Sequence, residues 1–205
     1  MELGDKRLSL ICWENLEKNR GVIMSKAVSV LAPNNNGVAG VVRFTQDGNT
    51  LHIDYDITGL TDGEHGFHIH TYGDLTDGCD SACAHFNPDG TNHGGLDSKV
   101  RHLGDLGNIA SKNMVSQGRI STTTLSLDMK KRNCIVGRMI IVHADRDDLG
   151  EGGDAESLKT GNAGKRVGCG VIGLAESSES NDKGNLAVPI GAVAGAVMGW
   201  YYSNR

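Results

Sequence analysis

Six histidines and one aspartate follow a pattern that is typical of a metal centre. Two of the histidines form the motif His68-x-His70, and the remaining candidates are His85, His93, His102, Asp105 and His143. Imidazole binds both copper and zinc well, whereas a carboxylate in the donor set favours zinc. The whole chain has eight histidines, so six in one pattern argue against unrelated surface histidines. We therefore expect a cage for two metal ions.

The elements around these residues must bring them together. Residues i and i+2 of a strand share one face, so His68 and His70 are expected to project together while Phe67 and Ile69 enter a core. Residues 79–107 are rich in Gly, Asp, Asn and Ser, which predicts a long loop. A loop of this length is usually functional or disordered. Three histidines and an aspartate bound to metal would explain its order.

The sequence on either side of this loop predicts an all-β fold. Short runs rich in Val, Ile and Thr alternate with glycine-rich turns, which favours a sandwich or a barrel. Gln46-Asp47-Gly48-Asn49 is a strong turn signal. The predicted strands are 26–31, 38–44, 50–58, 65–70, 118–127, 134–142 and 167–174. The net charge of −5 argues against a nucleic-acid partner.

Longer motifs extend the pattern over most of the chain, from about Lys26 to Ala175. They are GFHIHTYGD, the HFNP that contains His85, HGG at His93, RHLGDLGN, VHADRDDLG and KTGNAGKRVGCGVIG. In these motifs the chain resembles the copper/zinc superoxide dismutases, and GFHIH and GNAGKRVGCGVIG are highly specific. The resemblance implies an eight-stranded Greek-key β-barrel with two long loops. We call residues 79–107, which carry zinc and one disulfide cysteine, the zinc loop, and residues 144–166 the electrostatic loop.

The resemblance also implies a role for each candidate residue. Copper would be held by His68, His70, His85 and His143, and zinc by His85, His93, His102 and Asp105. His85 would thus bridge the two ions. Asp147 matches the carboxylate that links one ligand of each metal, a contact that fixes imidazole orientation. Arg166 matches the arginine beside copper, and Lys159 matches a further positive position; a fixed charge orients an anion.

The activity implied by this family is the disproportionation of two superoxide anions to O₂ and H₂O₂, an antioxidant defence. Copper would alternate between Cu(II) and Cu(I), while zinc, which has no redox chemistry, would order the loop. His85 would take up a proton when copper is reduced. The alternative is an inactive dismutase-like scaffold or a copper-handling domain. Such domains typically lack copper ligands or the arginine, and the chain keeps both, so the enzyme is favoured.

Two protein partners follow from the same resemblance. The positions that match the family's dimer contact are small or apolar, which suits an isologous interface: Val28, Gly73, Val136, Gly137, Val171 and Leu174. We therefore expect a homodimer. A copper chaperone is the further partner that the family suggests.

The electrostatic loop departs from the family. Asp145 stands where many relatives have lysine, next to Arg146, and Ala155 stands where glutamate is common, although Glu156 remains. A negatively charged protein attracts an anion only through a local positive funnel. We expect weaker steering of superoxide than in relatives. The alternative is that Arg146 and Lys165 compensate.

Five cysteines leave at least one unpaired. The resemblance implies the disulfide Cys79–Cys169. Cys83 occupies a position where relatives commonly carry glycine. Its thiol either exchanges with the neighbouring disulfide or is a small buried residue, and we favour the buried residue. Cys134 and Cys12 are expected to be free thiols.

The chain divides into three parts, of which residues 24–175 form the dismutase-like domain. Residues 1–23 lack the apolar core of a signal peptide, which predicts a cytoplasmic protein. We expect these residues to be a disordered extension, or to result from reading the sequence from a start upstream of the true one at Met24. Both alternatives are favoured over a functional arm.

Residues 176–205 begin with a polar linker and continue with an apolar tail. Residues 186–202 carry no charge and space Gly191, Gly195 and Gly199 four apart, as in packed membrane helices. Their length is at the lower limit for spanning a bilayer. Three interpretations stay open: a membrane anchor, a disordered tail, or a segment packed on a partner.

Overall fold

A computed structural model describes residues 25–33 and 36–176. The predictions for residues 1–23, for Cys12 and for the tail beyond Glu176 lie outside the described residues and stay predictions. Within the described part, no helix is long and apolar enough to cross a membrane.

The described chain is built from nine strands, which confirms the all-β prediction. The strands are β1 (Lys26–Leu31), β2 (Ala39–Asp47), β3 (Thr50–Thr58), β4 (Gly63–His70), β5 (Asp105–Ser111), β6 (Val115–Thr122), β7 (Met139–His143), β8 (Arg166–Val171) and β9 (Gly173–Ala175). Two short helices lie in the two long loops: a 3₁₀ helix at Asp80–Ala82 and the α-helix α1 at Ser157–Thr160.

The strands form two antiparallel sheets, consistent with the predicted barrel. One sheet has the order β6-β3-β2-β1-β9 and the other β5-β4-β7-β8. Large apolar side chains from both sheets, including Phe44, Ile53 and Phe67, meet in one buried core. The predicted strand 167–174 is divided, because β9 pairs with β1 while β8 pairs with β7.

Some boundaries differ from the predicted ones for physical reasons. Strand β5 was not predicted, because Asp105, Gly107 and Asn108 interrupt its apolar alternation. The run 134–142 becomes a strand only at Met139, since the amide N–H of Arg138 donates to the Ile135 carbonyl and closes a turn before it.

Strands β4 and β7 position the histidines. The side chains of Phe67 and Ile69 enter the core, as predicted, while His68 and His70 lie on the other face and are buried as well. Strand β7 pairs with β4 from His70↔Met139 to Phe67↔Val142. His143 is the last residue of β7, and this pairing brings it close to His68. The ring centroids of His68 and His143 are 4.8 Å apart.

Candidate metal centre

The zinc loop is fastened over the outer face of the β4–β7–β8 sheet. The predicted disulfide between Cys79 and Cys169 is present and ties the loop to β8. Ala82 packs with Met139 and Ile141 in a small buried cluster beside this disulfide. Apolar burial and a covalent link therefore hold the loop, which carries His85, His93 and His102, against the strands.

Four buried histidines form the first metal-binding group. The potential ligand atoms of His68, His70, His85 and His143 lie within 4.8 Å of one another. One ring nitrogen of each has no hydrogen-bond partner among the described residues: His68 Nδ1, His70 Nε2, His85 Nε2 and His143 Nε2. Buried polar atoms are rarely left without a partner, so the four nitrogens fit metal coordination.

The other ring nitrogens of these histidines are held by hydrogen bonds. His70 Nδ1 donates to the Cys83 carbonyl at 2.7 Å, and His143 Nδ1 donates to the Gly164 carbonyl at 3.1 Å. Such outer contacts fix the tautomer and direct the remaining nitrogen toward a metal. The donor set of four imidazoles suits copper.

The second group consists of His85, His93, His102 and Asp105, all buried. The Oδ1 atom of Asp105 lies 2.8 Å from His85 Nδ1, 3.0 Å from His93 Nδ1 and 3.2 Å from His102 Nδ1. The Oδ2 atom of Asp105 accepts hydrogen bonds from the backbone N–H groups of Gly94 and His102. Three imidazole nitrogens and a fixed carboxylate form a donor set that zinc takes.

Asp147 connects the two groups. Its Oδ2 lies 2.7 Å from His68 Nε2 and its Oδ1 lies 2.8 Å from His93 Nε2. The amide of Asn108 clamps the backbone of Asp147 from both sides, accepting from its N–H and donating to its carbonyl. Sequence reasoning missed Asn108, which only the pairing of β5 with β4 brings near the site.

Burial keeps the copper-side histidines neutral. It lowers the pKa of His68 to about 3 and that of His143 to about 4, and it lowers the pKa of His70 well below its usual value. A metal ligand must offer an unprotonated nitrogen. These three imidazoles therefore need to release no proton near neutral pH before they coordinate.

The zinc side has the opposite electrostatics. Burial lowers the pKa of His93, but hydrogen bonds to Asp105 and Asp147 outweigh it and raise the pKa to about 9. Burial likewise raises the pKa of Asp105, but hydrogen bonds from three histidines outweigh it and hold that pKa well below its usual range. Metal binding at this side must displace a proton from His93.

A positively charged cleft opens onto the histidines. It has a volume of about 660 Å³, and the rings of His70, His85 and His143 lie in its wall together with Arg166 and Lys159. The guanidinium of Arg166 donates to the carbonyls of Cys79 at 2.7 Å, Asp80 at 3.1 Å and Cys83 at 2.5 Å. The zinc loop thus fixes a permanent charge beside the copper-side group.

Comparison with known proteins agrees with this donor chemistry. The family model for copper/zinc superoxide dismutase (SODC) matches residues 38–172. The chain belongs to the copper/zinc superoxide dismutase family. It is similar to Superoxide dismutase [Cu-Zn] of Paramecium bursaria Chlorella virus 1, with 55% identity over 157 residues, which are 76% of this chain and 83% of the relative. Superoxide dismutase [Cu-Zn] A of Xenopus laevis is 53% identical over 152 residues, 74% of this chain and 99% of the relative.

A third relative is named Extracellular superoxide dismutase [Cu-Zn], from Brugia pahangi. It is 47% identical over 151 residues, which are 72% of this chain and 75% of the relative. Family membership and the two buried donor groups confirm the predicted activity: the chain is a superoxide dismutase that uses copper and zinc. They go against the inactive scaffold and the copper-handling domain.

The departures in the electrostatic loop lie outside the cleft of this dismutase. Asp145, Arg146 and Lys165 are not among the described residues that line it. The guanidinium of Arg146 pairs with Glu64 at 2.7 Å on the surface. A side chain at Gly164 would collide with the Asp145 carboxylate, so that carboxylate rests against the loop. Because Arg146 is paired with Glu64, its positive charge offsets the negative charge of Asp145 only in part. This pairing argues against the alternative that Arg146 compensates for Asp145.

Two further residues near the site, His65 and Cys83, belong to neither donor group. His65 hydrogen-bonds the carbonyls of His143 and Thr61, each at 2.9 Å. The expectation that Cys83 is buried is wrong: its thiol is exposed, whereas Cys134 is a buried free cysteine. The reason is local, because Cys83 has φ 63° and ψ −147° and turns its carbonyl toward His70 and Arg166.

Proposed function

We propose that this dismutase holds copper with His68, His70, His85 and His143, and zinc with His85, His93, His102 and Asp105. The observation that carries the copper assignment is the set of four buried ring nitrogens without hydrogen-bond partners among the described residues; the zinc assignment is supported by the convergence of three imidazoles on Asp105. The all-imidazole group supports copper, and the group with a carboxylate supports zinc. His85 is common to both groups, with Nδ1 toward Asp105 and Nε2 toward the copper side.

When bound, copper supplies reversible one-electron redox chemistry and zinc a fixed charge. The residues of the chain orient the substrate and move protons around it. Arg166 holds one superoxide anion in the cleft through the charge of its guanidinium. His85 Nε2 carries a proton to the reduced substrate, and Asp147 keeps the rings of His68 and His93 in place.

Lys159 extends the positive charge into the outer cleft. It lies in the last turn of α1, while Glu156, just before this helix, accepts a hydrogen bond from the Thr160 hydroxyl at 2.9 Å. One lysine, one arginine and one glutamate therefore line the route of the anion. The balance is positive, in spite of the net charge of −5 for the chain.

Metal loading tests the assignment. The purified chain is prepared with zinc alone and with copper and zinc, and superoxide decay is followed in both. We expect rapid decay only with both metals, at one copper and one zinc per chain. Rapid decay in the zinc-only protein, or a second tightly bound copper with no zinc retained, would contradict it.

We also propose that the enzyme is a homodimer. Gly73, Gly137 and Val171 are neighbours, since a side chain at Gly73 would collide with the Gly137 carbonyl and touch Val171. Leu174 is 59% exposed and lies on edge strand β9. Leu174→Glu should shift the mass in solution from dimer to monomer, and Met129→Glu, on another exposed apolar residue, should not. A wild-type protein that is already a monomer in solution would contradict the proposal.

The remaining partners and the location are proposals as well. A copper chaperone would supply the metal, and copper uptake with and without such a protein measures its contribution. A cytoplasmic location was expected from residues 1–23, while one relative is named extracellular. Cell fractionation with carbonate washing separates a soluble protein from one held in membranes by residues 186–202. Recovery of the chain in washed membranes would favour the anchor.

A further inference from the structure

A free thiol lies one short turn away from the structural disulfide. Cys79 precedes the 3₁₀ helix Asp80–Ala82 and Cys83 follows it. The Cys83 N–H donates to the Asp80 carbonyl at 3.3 Å and the Ala82 N–H to the Cys79 carbonyl at 3.4 Å. Cys79 is bonded to Cys169 of β8, and the Cys83 carbonyl accepts a hydrogen bond from Arg166, the first residue of β8. Both cysteines are therefore near β8, where Cys169 is bonded.

The backbone of Cys83 is strained. Its φ of 63° and ψ of −147° lie near a region that essentially only glycine occupies, and such residues persist only where the surroundings impose the conformation. Here the surroundings are two donors on its carbonyl, His70 Nδ1 at 2.7 Å and Arg166 Nη2 at 2.5 Å. A change that moves this carbonyl relieves the strain and releases both donors.

We propose that the Cys83 thiol exchanges into the Cys79–Cys169 disulfide and that this exchange switches the enzyme down. A sulfur–sulfur bond forms between Cys83 and Cys169, and the bond between Cys79 and Cys169 breaks. Cys79 leaves as a thiol, and the proton lost by Cys83 reaches it through water. The described residues hold one disulfide and two thiols before and after, so no oxidant or reductant is consumed.

Chain connectivity favours Cys169 as the partner. Cys83 is only four residues closer to Cys169 than Cys79 is, so both bonds close loops of nearly equal length and constrain the unfolded chain almost equally. A Cys79–Cys83 bond would close a very short loop and leave β8 untied. The exchanged form keeps the link between the zinc loop and β8, with the segment between Cys79 and Cys83 displaced.

Among the described residues, that segment supplies the carbonyls that hold Arg166. The acceptors are Cys79, Asp80 and Cys83, so displacement removes the guanidinium from its fixed position in the cleft. This consequence rests on the role proposed above for Arg166. All seven side chains of the two metal-binding groups lie outside residues 79–83, and His70 loses only the acceptor of its Nδ1 proton, so we expect bound copper and zinc to be retained.

Disulfide mapping tests the exchange directly. Full-length enzyme loaded with copper and zinc is incubated at neutral pH, quenched with acid, alkylated and digested, and the cysteine peptides are identified by mass spectrometry. We expect alkylated Cys79 together with a Cys83–Cys169 peptide, and the rate of superoxide decay should fall in proportion to the alkylated Cys79 at constant metal content. Cys83→Ser and Cys83→Gly should show neither change over the same period. Cys134→Ser, which removes another free thiol, should behave as the wild type does.

Three results would overturn the proposal. The first is Cys79–Cys169 as the sole disulfide with all Cys83 alkylated. The second is a Cys79–Cys83 peptide, which would contradict the assigned product. The third is alkylated Cys79 with an unchanged rate of superoxide decay. That result would show that the exchange does not regulate the enzyme and that the role proposed for Arg166 is wrong, at any metal content.

Discussion

The two halves of the metal centre are positioned by different means. On the copper side, His68, His70 and His143 belong to the paired strands β4 and β7, whose backbone ladder fixes their spacing. On the zinc side, His93 and His102 belong to a loop and converge on one carboxylate oxygen of Asp105. A strand ladder is held by backbone hydrogen bonds, whereas His85, His93 and His102 are held by contacts with one charged side chain. The three strand-held histidines are therefore preorganised by the backbone, and the loop-held histidines depend on Asp105.

The substitution His143→Ala is expected to have the largest effect and tests the strand-held side of the metal centre. It removes a strand-held nitrogen and leaves the zinc side untouched, so copper and nearly all activity should be lost while zinc stays. The loss should exceed the roughly 10–100-fold effect of removing an outer hydrogen-bond partner. Metal content and superoxide decay measure it, with His52→Ala as a control outside the site. Near-native turnover in His143→Ala would make the copper assignment wrong.

A second test concerns Arg166, whose charge is held at the start of β8 beside the strand-held histidines. Arg166→Glu should slow the reaction about 10- to 1,000-fold, the range covered by electrostatic focusing of a charged substrate. Arg166→Lys keeps the charge but loses the forked hydrogen bonds, so it should be much milder. Rates are compared at low ionic strength with copper content verified. Equal rates for the two variants would remove the guiding role of Arg166.

A third test addresses the zinc side. Asp105→Ala removes the carboxylate on which three imidazoles converge, so zinc should be lost and residues 79–107 should exchange amide hydrogens faster. Strands β4 and β7 should keep their protection, because the substitution removes a side chain and leaves the backbone pairing of β4 with both β7 and Asp105 in place. The effect on the rate should be smaller than for His143→Ala. Equal loss of protection in loop and strands would show that the two halves are not held differently.

The smallest expected effect concerns Asp145. A unit charge pair about 8 Å apart at an effective dielectric near 20 interacts by roughly 2 kcal/mol before screening, and physiological salt screens over about 8 Å. Asp145→Lys should therefore raise the rate by a modest multiple at low salt and converge with the wild type at high salt. Asp47→Lys, at the exposed end of β2, controls for net charge. An unchanged rate at low salt would mean that the Asp145 carboxylate, which rests against Gly164 in the wall of the cleft, does not influence the anion.

The parts that sequence predicted are those with local periodicity. The alternation of Phe67, His68, Ile69 and His70 gave both the strand and its two faces. The ligand roles followed from motifs, which depend on resemblance rather than on periodicity. What failed was set by tertiary contacts: β5 is broken by polar residues that serve the site, and the exposed Cys83 thiol follows from a carbonyl held by Arg166. Asn108 gave no signal, because it lies on β5 and its partner is the backbone of Asp147, which is far away in sequence.

The carboxylate of Asp147 has a thermodynamic consequence. Because one side chain touches a ring from each donor group, an ion that orders His93 also orders His68. By linkage, whatever factor zinc adds to copper affinity, copper adds to zinc affinity. Filling of the two sites is then cooperative, and half-loaded molecules are scarcer than independent binding would give.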